Sequence, residues 1–276
     1  CDSELPACIM ATEFNIDENL FLKKGPKQIC SSCYYESNRY LEEGNFEVNK
    51  LSDYFDKKNS QYLDILNGIE KFNLENIKKL KLNNISVGEQ ALSGTLRYYA
   101  RSDLNNKKKA NQTLQKYLIA AIKTQLSCEN FFEKKKFDTV ILNHGIYIPQ
   151  GIIHEVSKQK KINTVNYCLG TRKKTFCFCK DDTYHRALIY EKNKNWENIE
   201  FSSKSETKLK NYLDSRLHGN QDWIYFHNKP SFDLNYCFKK YDIDKNKPII
   251  GLATNVIWDA QIDFPSNFFD NILNWL

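Results

Sequence analysis

Thr139-Val140-Ile141-Leu142-Asn143-His144-Gly145-Ile146-Tyr147-Ile148-Pro149 is the stretch on which the reading of the fold turns. Its first four residues are a short, β-branched apolar run of the kind a buried parallel strand needs, and Asn143-His144-Gly145 ends the run. Pro149 stands where a helix can begin, and Ile152, Ile153 and Val156 continue at helical spacing up to Lys160-Lys161. Thr164-Val165-Asn166-Tyr167-Cys168 follows as a second strand, closing at Gly170. Strand, glycine-bearing turn, helix and strand within about thirty residues make a βαβ unit, which implies a parallel sheet with helices on its faces. Ligands of such sheets bind just beyond the carboxyl ends of the strands, where His144 is placed.

Upstream of this unit a long amphipathic helix is expected from Ala110 to Phe132, with Leu114, Leu118, Ala121, Ile122 and Leu126 on one face. Leu51, Tyr54, Phe55, Tyr62, Leu63, Ile65, Leu66 and Ile69 recur at mostly helical spacings, and Leu96 to Ala100 opens a further apolar patch. Downstream, a helix is expected through Tyr212, Leu213 and Leu217, ending at Gly219. The charged, aperiodic stretch Asp242 to Lys247 reads as a linker. Pro248-Ile249-Ile250-Gly251-Leu252-Ala253 then reads as a new strand, and its loop leads to a helix with Phe268, Phe269, Ile272, Leu273 and Leu276 on one face. The expected fold is therefore α/β, a Rossmann-like parallel-sheet domain over 1–241, a linker over 242–247 and the start of a second such domain over 248–276. The chain opens on Cys1 and stops at Leu276 on the apolar face of a helix, so both ends read as truncations.

The composition, 41% hydrophobic, 27% charged and 13% aromatic over 276 residues, is that of a globular protein. No run approaches the ~20 apolar residues that cross a bilayer, so a soluble chain is expected, and its cysteines, too few and irregular for a disulfide scaffold, make a reducing cytoplasm the expected setting. The net charge of +6 comes mostly from lysine clusters such as Lys107-Lys108-Lys109 and Lys134-Lys135-Lys136. These read as solvated helix faces; the competing reading is attraction to an anionic surface, including peripheral contact with an inner membrane. No recognition motif accompanies them, which argues against nucleic acid. Nine irregularly spaced cysteines do not suit a disulfide scaffold.

Four constellations could carry chemistry. His144 at a strand end, followed by Gly145, Tyr147 and Gly151, suits a general base or a hydrogen-bond donor to substrate, or else a histidine satisfied by local backbone. Gly170-Thr171-Arg172 offers an arginine fork for a phosphate or carboxylate, and Asp182 with His185 could form an acid–base or orienting pair; a plain surface hairpin is the alternative. Thr254-Asn255-Val256-Ile257-Trp258-Asp259 places polar groups and a sugar-stacking ring after the Pro248 strand, although Trp258 could equally be a packing anchor. Cys1, Cys8, Cys30 and Cys33 could complete a zinc set, but Cys1 and Cys8 are spaced too widely for a double Cys-x-x-Cys, and free thiols are the expected state. There is no dinucleotide fingerprint, phosphate loop or nucleophile elbow.

Taken together, Cys1-Asp2 to Leu5-Pro6-Ala7-Cys8, Cys30 with Cys33, Ala91-Leu92-Ser93-Gly94-Thr95-Leu96-Arg97-Tyr98-Tyr99-Ala100, His144 to Gly151, Gly170 to Phe176, Asp182-Thr183-Tyr184-His185 and Thr254 to Asp259 resemble a bacterial family of capsular polysaccharide biosynthesis proteins. These are glycosyltransferase-like enzymes of the GT-B type. The resemblance covers nearly the whole chain in order and approximate spacing. It implies transfer of a sugar from a nucleotide-linked donor to a glycan acceptor in a growing surface polysaccharide, without a required cofactor. Within that expectation the residue readings above make His144, Asp182 and His185 the candidate catalytic groups. Substrate contacts would come from Gly145, Tyr147, Gly151, Arg172, Tyr184, Thr254, Asn255, Trp258 and Asp259. The front domain would receive the acceptor, and a chain lacking most of the rear domain would not turn over alone. A non-catalytic glycan-binding or export component and a polyol-phosphate transferase are the alternatives.

Overall fold

The computed structural model describes residues 4–13, 16–183, 186–187, 191–218, 222, 233–251, 256, 258, 269–270 and 274. The chain separates into two compact units, one of residues 1–167, 178–189 and 256–276, the other of residues 168–177 and 190–255.

The first unit is built on helices α1 (Met10–Glu13), α2 (Glu18–Lys24), α3 (Glu36–Glu43), α4 (Ser60–Asn67), α5 (Val87–Tyr99), α6 (Ala110–Lys134) and α7 (Gln150–Gln159). Strands β1 (Thr139–Asn143), β2 (Asn163–Leu169) and β3 (Phe176–Lys180) form a small mixed sheet in that order. β1 and β2 run parallel with Thr139 opposite Asn163, and α7 crosses between them, so the expected βαβ unit is present. The sheet is smaller than a Rossmann-like domain leads one to expect, and most of the unit is helix.

α6 occupies the expected span because its apolar residues recur every three or four positions: Leu114, Tyr117, Leu118, Ala121 and Ile122 are at most 1% exposed. α5 packs along it, and Gly94 lets the two backbones approach, since a Cβ there would lie 2.5 Å from the Tyr117 ring. Phe21 of α2 stacks on Tyr98 at 4.7 Å and leans on Tyr117 at 5.8 Å. Ile152 and Val156 of α7 join the same core. The apolar stretch from Leu51 to Ile69 is not one helix but a 3-10 turn, then α4, then a second 3-10 turn. Asn59 starts α4 afresh, its side-chain oxygen accepting from the Tyr62 amide at 3.1 Å, and Gly68 ends it. Leu96 to Ala100, read as a separate patch, is the last turn of α5, which closes on Ala100 in the left-handed region.

The second unit contains the β2–β3 turn, α8 (Lys194–Glu197), α9 (Ser203–His218) and α10 (Asn235–Lys240). α9 is the helix expected through Leu217; Gly219 lies outside the described residues. Asp242 to Lys247 is exposed throughout and belongs to this unit. Pro248–Gly251 forms neither strand nor helix, and 252–255 lie outside the described residues, as do 266–268 and 271–273 of the helix expected to follow. Among the described residues no helix is long and apolar enough to cross a membrane.

Candidate functional site

β1 ends where the sequence places it, and the His144 amide extends the ladder by donating to the Tyr167 carbonyl at 2.8 Å. Beyond it the backbone turns through three left-handed residues, His144 (φ 61°), Gly145 (φ 68°) and Tyr147 (φ 65°). Left-handed conformations in residues with a Cβ are costly and persist where the surroundings hold them. Gly145 is required twice over, because a Cβ there would also meet the Asn166 side-chain oxygen at 2.3 Å.

Tyr147 is 3% exposed and meets Arg97 of α5 in two ways. Its hydroxyl lies 3.2 Å from an Arg97 guanidinium nitrogen, and the guanidinium carbon sits 4.9 Å from its ring centre. The same guanidinium lies 5.6 Å from the Trp258 ring centre. Two residues expected to touch substrate thus converge on an arginine that spacing alone did not single out, a cation–π arrangement with a ring on each contact.

Asp182 follows β3. One of its carboxylate oxygens accepts from the Thr183 amide at 2.7 Å and from the Arg186 guanidinium at 2.9 Å. Its backbone carbonyl accepts from the Asn166 amide nitrogen at 2.7 Å, and that nitrogen also lies 3.1 Å from His154 Nδ1. His154, on α7, is 3% exposed. Burial first, then the Lys158 charge, push its pKa down to about 4, so the ring is neutral near pH 7.

His154 faces a crevice of about 310 Å³ that also receives Gly145, Gly151, Gln90, Glu155 and Thr183. Glu155 organises one wall, accepting from the Ser86 amide at the start of α5 at 2.7 Å and from the Gln90 amide nitrogen at 3.3 Å. Among the described residues three polar atoms here have no hydrogen-bond partner: His154 Nε2, Gln90 Oε1 and the Thr183 hydroxyl. Each such buried group left unpaired costs ~1–3 kcal/mol, which marks the crevice as a place for a polar ligand or water.

His154, Gln90 and Arg186 were not singled out from sequence. A signal existed, because Gly151, His154, Glu155 and Lys158 fall at positions i, i+3, i+4 and i+7 of α7, opposite the core stripe of Ile152 and Val156. Arg172 belongs to the second unit, where its guanidinium lies 5.5 Å from the Tyr212 ring centre and its backbone bridges Asp222. Asp222 is 3.7 Å from Arg216. Tyr184, His185, Thr254, Asn255, Asp259 and Cys1 lie outside the described residues.

Cys8 and Cys30 are buried and Cys33 half-buried, all as free thiols. Burial pushes the Cys8 thiol up to about 11, and nearby Cys30 and Cys33 add to the rise. Among the described residues no group of three or more His, Cys, Asp or Glu side chains is placed to hold a metal.

The fold and site define an α/β protein with a parallel βαβ unit and a polar crevice on the outer face of its crossover helix. No protein-family model, no curated protein and no solved structure matches the chain.

Proposed function

We propose that the chain is a glycosyltransferase-like protein of the capsule type, moving a sugar from a nucleotide-linked donor to a growing surface polysaccharide on the cytoplasmic side. One observation supports this reading above others: Tyr147, just beyond a parallel strand, and Trp258, both expected to contact substrate, meet on Arg97. The half-buried Trp258 ring can stack on a sugar, and the Arg97 guanidinium, held by buried Tyr147, suits a ligand carrying hydroxyls or phosphate. In this reading His144 is the general base. Asp182 orients its neighbours, with Tyr184, His185 and Trp258 as further substrate contacts, and no metal is needed.

The test is a transfer assay on the protein at its natural length, against a panel of nucleotide sugars and nucleotide-linked polyol phosphates, with and without EDTA. Transfer that persists in EDTA and falls by ~10²–10⁴ in His144→Ala, with folding intact, is the expected result. Normal transfer in that variant would remove His144 from catalysis.

A glycan-binding or export role is the second reading, favoured by the engagement of the Asp182 carboxylate with Arg186 and the Thr183 amide. It predicts glycan binding without turnover.

A further inference from the structure

We propose that the crevice on the outer face of α7 is a subsite for a single neutral sugar ring, read by His154 Nε2, Gln90 Oε1 and the Thr183 hydroxyl. The proposal takes its place in a reaction from the sugar-transfer reading, but its chemistry stands on the geometry of the crevice.

Two of the three groups have a fixed hydrogen-bonding sense. The Asn166 amide nitrogen has two hydrogens, one directed at the Asp182 carbonyl (2.7 Å) and the other at His154 Nδ1 (3.1 Å). Reversing the amide would set its oxygen against the Asp182 carbonyl oxygen, two acceptors face to face. Nδ1 therefore accepts, and in a neutral imidazole the proton then sits on Nε2, which donates into the crevice. Burial and the Lys158 charge keep the ring neutral.

The Gln90 amide nitrogen is directed at Glu155 Oε1 (3.3 Å), which leaves Gln90 Oε1 as an acceptor. It lies over Gly151, where a Cβ would come within 2.4 Å. The Thr183 hydroxyl, 1% exposed, can donate or accept. His154, 3% exposed, and Thr183 are both buried polar side chains facing the crevice, and neither these atoms nor Gln90 Oε1 has a partner among the described residues.

A fixed donor, a fixed acceptor and a group of either sense complement hydroxyls, each of which donates one hydrogen and accepts others. An ionised phosphodiester or diphosphate only accepts, and would meet Gln90 Oε1 without a hydrogen to offer it; hydrogen phosphate keeps an O–H, and against it the charge of the crevice decides. Charge agrees: Glu89 and Glu155 offset Lys158 and Arg186 around the crevice, and Asp182 already holds Arg186. The volume of about 310 Å³ is at the low end of the ~300–1,000 Å³ typical of small-molecule sites, room for one ring rather than a nucleotide diphosphate.

The test uses natural-length protein and saturation-transfer NMR with the methyl glycosides of glucose, galactose and N-acetylglucosamine; inorganic phosphate and UDP are the anionic probes. At least one glycoside should bind, phosphate should not displace it, and Gln90→Leu and Thr183→Val should each weaken binding about tenfold. Nitrogen-15 NMR of the imidazole should show the proton on His154 Nε2 and a shift of that signal on glycoside addition, a readout that needs no variant to fold.

No glycoside binding, binding untouched by both variants, or displacement by phosphate would overturn the subsite. The two readings fail separately. Transfer activity whose KM values ignore both variants leaves the transferase and removes the subsite. Glycoside binding lost in the variants, in a protein that transfers nothing, keeps the subsite and removes the transferase.

Discussion

His154 joins the crevice to stability, because its ring is 3% exposed and is pushed from 6.5 down to about 4. Burial is the main cause. Lys158 adds to it, Arg186 acts in the same direction, and Asp182 and Asp181 oppose. A folded pKa below the unfolded one means that the unfolded chain binds the proton first as pH falls. The neutral ring's contribution to stability is therefore full above pH ~6.5 and is lost progressively toward pH ~4, by at most about 3 kcal/mol. Urea unfolding midpoints measured from pH 7.5 to 4.5 should fall with pH, and His154→Gln, which cannot titrate, should flatten part of that slope. Identical slopes in the two proteins would show that the ring is not held neutral. Spacing puts this histidine on the α7 face away from the core stripe but does not reveal its environment, which comes from Asn166 on the next strand and Asp182 beyond β3, neither of them helical neighbours.

At the scale of elements, legibility followed the strength of the apolar period. α6 and the β1–α7–β2 unit were readable because Leu114, Leu118, Ala121 and Ile122, then Val140 to Leu142, then Ile152 and Val156 repeat without interruption. α5 was read only at its end, because Gly88, Ser93, Gly94 and Thr95 dilute its pattern. Those small residues are there for packing. Gly88 sits against the Ile77 carbonyl, and Gly94 against the Tyr117 ring, which is fully buried and has no room to turn. Gly94→Ala should therefore destabilise the protein by ~1–3 kcal/mol through overpacking, even after the ~0.5–1 kcal/mol that alanine returns in helix propensity. Gly68→Ala is the control, since a Cβ there has nothing nearer than 3.5 Å and the backbone φ is −106°. Denaturant midpoints decide it: equal midpoints for the two variants would mean that α5 and α6 are not in the close contact described.

At the scale of the whole molecule, the contact between Tyr147, Arg97 and Trp258 shows what spacing cannot supply, for its members lie on α5, the β1 loop and the far end of the chain. The division into two units cuts across the order of the chain, the second unit taking in the β2–β3 turn as well as 190–255. The units differ in how much they bury. In the first, α5, α6 and α7 enclose a continuous core around Tyr117, Leu118 and Ile152. In the second, only Cys168, Ser215 and Asp222 are buried among the described residues, and Leu209, Leu213 and Leu217 of α9 are 45–59% exposed. Segments with few buried apolar contacts open at lower free energy and meet proteases first. Trypsin should accordingly cut first among the lysines of α9, α10 and 242–247, while cleavage within 110–167 lags although Lys134, Lys135, Lys136, Lys158, Lys160 and Lys161 lie there. Mass spectrometry of an early time course reads the order directly. First cuts inside 110–167, with 203–247 intact, would place the weaker packing in the unit that carries the crevice and reverse the ranking of the two.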